Sequence, residues 1–134
     1  MAGVAILDAH ALIWFLEGNP HLGSAARAQM EDPGGRLVLP AIALAEALHV
    51  VARGRTAIPS VSDLLSDVDA DPRISVAPLD REIVAVSVTL TALPEKHDRL
   101  IVATALREAA SAGPVVLLTC DAAIAASGIV PIVW

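Results

Sequence analysis

Aromatic side chains, lysine and cysteine are nearly missing from this 134-residue chain, and each shortage removes a class of protein. Only Trp14, Phe15 and Trp134 are aromatic, so the core must be built from Val, Ile, Leu and Ala. A hydrophobic content of 55% over this length suffices for one domain, residues 1–134, with a sizeable core. Cys120 stands alone, which excludes an internal disulfide and a cysteine cluster for zinc and points to a reducing cytoplasm. Basic residues number nine against fifteen acidic ones, and the net charge of -6 argues against a general nucleic-acid coating protein. It leaves a nucleic-acid enzyme open, because an acidic pocket can take a phosphate through divalent cations. Long apolar runs are also lacking. Asp8, Glu46 with His49, and Ser87 with Thr89 interrupt the longest before they reach the roughly 18 residues that span a bilayer, so no membrane association is expected. No basic region precedes the first apolar residues, so no secretory signal is expected, and there is no internal repeat or linker.

What the chain does have is short apolar strands alternating with helices. Val4–Leu7 is a continuous apolar run, as expected of a strand buried on both faces, and it ends at Asp8. Ala9 to Glu17 reads as a helix stopped by Gly18-Asn19-Pro20. A second helix is expected from Ser24, as N-cap, to Glu31, and a second strand over Arg36–Leu39. Pro40 opens a helix from Ala41 to Arg53, closed by Gly54. Ser60 starts another, striped with Val61, Leu64, Leu65 and Val68; Ile74–Val76 makes a third strand. After Asp80 a helix is expected through Thr91, although the alternation in Val84–Leu90 fits a strand equally well. A helix through Leu106 follows Pro94. Val115–Leu118 is a fourth strand, then come a short helix to Ser127 and a last strand over Ile129–Val133. This order predicts a three-layer α/β/α fold around a mostly parallel sheet.

Four acids stand out against that frame. Asp8 and Asp121 each follow a strand, at the edge where open parallel sheets bind ligands, although either could simply cap the next helix. Asp98 lies in the first turn of its helix, with Ile101 and Val102 one turn on. A lone ionised carboxylate at such a margin costs about several kcal/mol, so it requires a donor, a cation or a metal, or else the helix's own free N–H groups. Glu46 has no capping role: it is mid-helix, and of its neighbours three or four positions away, Ile42, Ala43 and Val50 are apolar and only His49 is polar. His10, His21 and His49 show no second histidine at ligand spacing and are left out of the site; His97 is a candidate for substrate contact only.

The chain resembles the PIN-domain ribonucleases, in particular the VapC-type toxins of bacterial toxin–antitoxin pairs. The likeness runs the full length and rests on Leu7-Asp8-Ala9-His10-Ala11-Leu12-Ile13-Trp14, on Glu46, on the segment from His97 to Ala105, and on Leu118-Thr119-Cys120-Asp121. It implies that Asp8, Glu46, Asp98 and Asp121 form the acidic quartet and that Thr119 is the hydroxyl residue supporting it. Asp8 and Asp98 would be the primary ligands of Mg²⁺ or Mn²⁺, with Glu46 and Asp121 acting directly or through water. The same likeness implies RNA as substrate, a cognate antitoxin and a homodimer. Many relatives carry a hydroxyl residue after the first aspartate, where this chain has Ala9, and Asp-Pro shortly before the third acid, where it has Glu95-Lys96-His97. Neither departure touches the four carboxylates.

Two other readings follow from the residues themselves. One is a non-catalytic α/β binding module whose aspartates are helix caps, against which Glu46 speaks. The other is a phosphatase or phospho-acceptor with Asp8 as nucleophile, disfavoured because no Asp-x-Asp pair follows the first strand and Lys96 is the only lysine. Trp14 or Phe15, together with the Val61–Val68 stripe, are the apolar features expected to meet a partner chain.

Overall fold

A computed structural model describes Gly3 to Trp134; the first two residues of the expected domain lie outside the described part. Five parallel strands form one sheet in the order β3-β2-β1-β4-β5. They are β1 (Val4–Leu7), β2 (Arg36–Pro40), β3 (Ile74–Ala77), β4 (Val115–Leu118) and β5 (Ile132–Val133). All residues of β1 are buried and so are the last four of β2, which confirms helix cover on both faces of the central strands.

Among the described residues seven helices connect the strands: α1 (Ala9–Glu17), α2 (Ser24–Glu31), α3 (Ala41–Ala52), α4 (Val61–Ala70), α5 (Arg81–Thr89), α6 (Lys96–Ala112) and α7 (Ala122–Ser127). The chain runs from β1 outward through β2 to β3, then returns through α5 and α6 to β4 on the other side of β1. The order therefore reverses between β1 and β4, whose last residues Leu7 and Leu118 are register partners. A crevice opens at the carboxyl ends of strands at such a switch point, and the residues that follow Leu7 and Leu118 must line it.

Local chemistry explains most boundaries, and several differ from expectation. The doubtful stretch 81–89 is helical because the Asp80 carboxylate accepts the Ile83 N–H at 3.1 Å, and Ile83 and Ser87, one turn apart, are both buried. The alternating valines that suggest a strand then fall outside the core: Val84 is 47% exposed and Val88 66%. Gly23, not Ser24, is the N-cap of α2, and no side chain caps it. β5 is shorter than the run 129–133, whereas α6 continues past Leu106 to Ala112 and stops at Gly113, whose φ of +89° suits glycine.

The stripe on α4 is core, not contact surface. Leu64 and Val68 are buried, Val61 and Leu65 half-buried. Among the described residues the large apolar side chains left in solvent are Val76, Leu79, Val84 and Val88, on the edge strand β3, the loop after it and α5. Trp14 and Phe15 are each half-buried, as successive positions about 100° apart on a helix must be when only one stripe faces the core.

Candidate active site

The β1–α1 and β4–α7 turns bring two carboxylates to the switch point. Asp8 is the N-cap of α1 and accepts the Ala11 N–H at 2.8 Å; Asp121 is the N-cap of α7 and accepts the Ile124 N–H at 2.9 Å. The capping reading is thus correct for both, and each still keeps a carboxylate oxygen for other work. Thr119 is buried between them. Its hydroxyl accepts the Asp121 N–H at 3.1 Å, which leaves its own proton to favour the charged form of Asp8.

The other two acids are not caps. Glu95 caps α6 by accepting the Asp98 N–H at 3.1 Å, so the Asp98 side chain is released from that duty. Glu46 projects from the middle of α3. One Glu46 oxygen, Oε1, is buried and has no hydrogen-bond partner, with the His97 ring nitrogen 3.8 Å away, beyond hydrogen-bonding distance. A buried, unsatisfied carboxylate oxygen is costly, and it is the feature a bound cation would relieve.

These four acids line one pocket of about 280 Å³, together with Thr119, Cys120, His10 and Trp14 and with Ile101 and Ile124 beneath. Among the described residues no arginine or lysine lines it. The electrostatics follow from that composition. Burial pushes the Asp8 carboxyl above its usual range, opposed by Thr119 and the Ala11 amide; burial also raises Glu46, opposed by His97. Asp98 is pushed up to about 6, first by burial and then by the negative charge of Asp121, Glu95, Glu46 and Asp8. Clustered carboxylates that raise one another's pKa are primed for a divalent cation, and the all-oxygen donor set suits a hard one. Among the described residues no group of three or more His, Cys, Asp or Glu side chains stands close enough together to hold a metal ion directly. That spacing accords with mutual repulsion and with an ion such as Mg²⁺ that keeps several of its waters.

The five residues singled out in the sequence therefore meet at one place. His10 and Trp14 are pocket residues that sequence reasoning left out. His10 has no second histidine at ligand spacing, but its position two residues after a strand-end aspartate puts it on the first turn of the helix that begins the site. A cavity of about 600 Å³ at the opposite end, where β1 and β4 begin, is lined by Gly3, Val4, Pro114 and Val115, and Asp32 is its single ionisable residue.

Among curated proteins none matches the chain. Two solved structures share the fold across almost the whole length. One is VapBC2 from Rickettsia felis, bound to a DNA fragment from their promoter, with 13% identity, a TM-score of 0.72, and 98% of this chain covering 99% of that one. The other is VapBC-1 from nontypeable Haemophilus influenzae, with 18% identity, a TM-score of 0.65, and 98% of this chain covering 97% of that one. At these identities the likeness carries the fold alone. Residues 5–128 match the PIN domain, and with the parallel sheet and strand-end aspartates in the places described, the chain belongs to the PIN-domain family.

Proposed function

We propose that this chain is one nuclease domain, residues 1–134, that hydrolyses RNA phosphodiester bonds as a metal-dependent endoribonuclease. The observation that carries the reading is the convergence of Asp8, Glu46, Asp98 and Asp121 on a pocket whose described lining holds no arginine or lysine, one of their oxygens being buried and unpartnered. A module that used its aspartates only as caps would account for Asp8 and Asp121. It would leave Glu46 and Asp98 as uncompensated charge.

Asp8 and Asp98 are the primary metal-holding residues in this reading, with Glu46 and Asp121 contributing directly or through water. Mg²⁺ or Mn²⁺ bound there would supply the Lewis acidity that phosphodiester hydrolysis needs. Thr119 ties the Asp121 backbone amide to the Asp8 carboxylate through its single hydroxyl. Glu46, whose carboxyl is raised by burial, is suited to hold a proton taken from the attacking water. His97, 3.8 Å from both Glu46 and Glu95, is the candidate for substrate contact in this reading.

The biological reading is a VapC-type toxin of the cytoplasm, silenced by a small antitoxin and working as a homodimer. Both named structural relatives are VapBC proteins, and the exposed Val76, Leu79, Val84 and Val88 give an apolar face that another chain would cover. No described helix is long and apolar enough to cross a membrane. Purified protein incubated with labelled RNAs should cut them with Mg²⁺ or Mn²⁺ and stop in EDTA. Cleavage that ignores EDTA, or none with either ion, overturns the nuclease reading. Co-expression with the small open reading frame beside the gene tests the toxin reading: restored growth and a complex of both chains are expected, and a chain that neither slows growth nor binds that product overturns it.

A further inference from the structure

A second pocket, about 370 Å³, adjoins the acidic one and shares His10 and Trp14 with it. One face of α1 leads from one to the other. His10, Ile13, Trp14 and Glu17 lie at the spacing of successive helical turns, a ramp of about 10 Å starting at the Asp8 end. The far wall is the loop after α3, which presents Arg55 and Thr56.

That loop is held in place from across the pocket. Glu17 Oε2 accepts the Ala57 N–H at 2.7 Å, forty positions away in sequence, and Glu17 Oε1 accepts from the Asn19 side chain at 3.2 Å. Thr56 Oγ1 accepts the Ile58 N–H at 3.2 Å. The pocket is thus built before any ligand arrives, which lowers the cost of binding. Trp14 sits at the junction with its ring 5.2 Å from that of His10 and 5.4 Å from that of His21. Arg55 is exposed and, among the described residues, forms no ion pair.

Resting on the ribonuclease reading, we infer that this pocket is the subsite for the nucleotide next to the scissile phosphate, with His10 and Trp14 as the wall for base or sugar and Arg55 holding the neighbouring phosphate. The chemistry of the lining favours this ligand. A polyanion approaching four carboxylates needs a cation beyond them, and among the described residues Arg55 is the one arginine that lines either pocket. An aromatic beside a cation is the combination that binds single-stranded nucleic acid without demanding one sequence. The volume suits one nucleoside rather than the elongated apolar seat of a helix.

The test is kinetic and spectroscopic. In Mg²⁺, Arg55→Ala should raise KM about tenfold with kcat nearly unchanged, Arg55→Glu should raise it further, and the salt slope of KM should fall by about one. Separately, in EDTA at low salt, a short single-stranded RNA of mixed sequence should quench the wild-type tryptophan fluorescence. Trp14→Phe should remove most of that quench while keeping the fold, as checked by circular dichroism. An unchanged KM and salt slope in both Arg55 variants, or a quench that survives in Trp14→Phe, overturns the subsite even if the wild type cleaves RNA. Failure of the wild type to cleave, with the Trp14-dependent quench intact, overturns the nuclease reading and keeps the subsite. If Arg55→Ala keeps its RNA affinity but loses the neighbour-encoded protein, the pocket belongs to a protein segment and the subsite is overturned.

Discussion

The two strand-end turns and the two helix faces contribute acids to the same pocket, but on different terms. Asp8 and Asp121 each satisfy a helix N-terminus while facing the pocket, so their charge is partly compensated by the fold. Glu46 and Asp98 have no such partner: Glu46 exposes a buried oxygen to nothing, and Asp98 is raised by burial and by every acid around it. The difference teaches that a carboxylate with a structural duty reports little about function, whereas one without any duty in the same pocket does. Substitutions should separate the two pairs, because the first pair couples activity to stability and the second opposes them.

The largest effect is expected at Asp98. Asp98→Asn keeps size and polarity and removes the charge, so cleavage should fall by a hundredfold or more, roughly beyond what loss of an outer metal-supporting residue costs. The metal-free protein should at the same time melt no lower than wild type at pH 7, since a repelled charge has gone. Turnover near wild type in a folded Asp98→Asn protein would remove its metal-holding role.

At Asp8 the two functions can be pulled apart with two variants. Asp8→Asn retains a good N-cap and Asp8→Ala does not, so only the alanine should lose about 1 kcal/mol of stability through the cap, while both should lose cleavage. Thermal melts alongside rates decide it. Equal stability of the two variants would mean that the Ala11 hydrogen bond contributes nothing measurable.

The comparison also shows what the sequence could and could not disclose. β1, α1 and α3 were legible to within a residue or two because apolar runs end in Asp8, Gly18 and Gly54, whose chemistry stops or starts a helix. The four acids could be read for the same reason, three of them standing at element ends and Glu46 in an otherwise apolar turn, whereas Thr119 was implied only by the resemblance to the PIN-domain ribonucleases. The helix over 81–89 could not be decided, because its valines obey local preference for a strand and only the burial of Ile83 and Ser87 against the rest of the fold overrules it. The second pocket was equally out of reach. It joins α1 to a loop some forty positions away through Glu17 and Ala57, a contact that no periodicity announces.

The pH dependence of the metal-free protein should show the same repulsion from another side. Asp98 titrates near its ordinary value of 3.8 when unfolded and at about 6 when folded. Between those points the native state holds a proton that the unfolded chain has released, so stability falls as pH rises through the interval and levels off above about 6. Raised Asp8 and Glu46 carboxyls act in the same direction. Saturating Mg²⁺ should reverse the trend by binding only the charged native site, adding about 2.7 kcal/mol at a hundred times Kd. A metal-free melting temperature that climbs steadily from pH 4 to pH 7, measured in EDTA, would contradict the repulsion.

The smallest expected effect is at Glu46, and its sign carries more meaning than its size. Among the described residues the one basic side chain within 4.0 Å of it is His97 at 3.8 Å, too far for a hydrogen bond and partly open to solvent, so that contact should contribute at most a few tenths of a kcal/mol. Burial and the charges of Glu95 and Asp8 oppose it. Glu46→Gln in EDTA at pH 7 should therefore leave the melting temperature unchanged or slightly raised, and should diminish the stabilisation that Mg²⁺ brings. If Glu46→Gln clearly lowers the metal-free melting temperature and leaves the Mg²⁺ response intact, then Glu46 serves the fold through His97. The helix faces would in that case differ from the strand-end turns only in which structural duty their acids perform, and Asp98 alone would remain the acid without one.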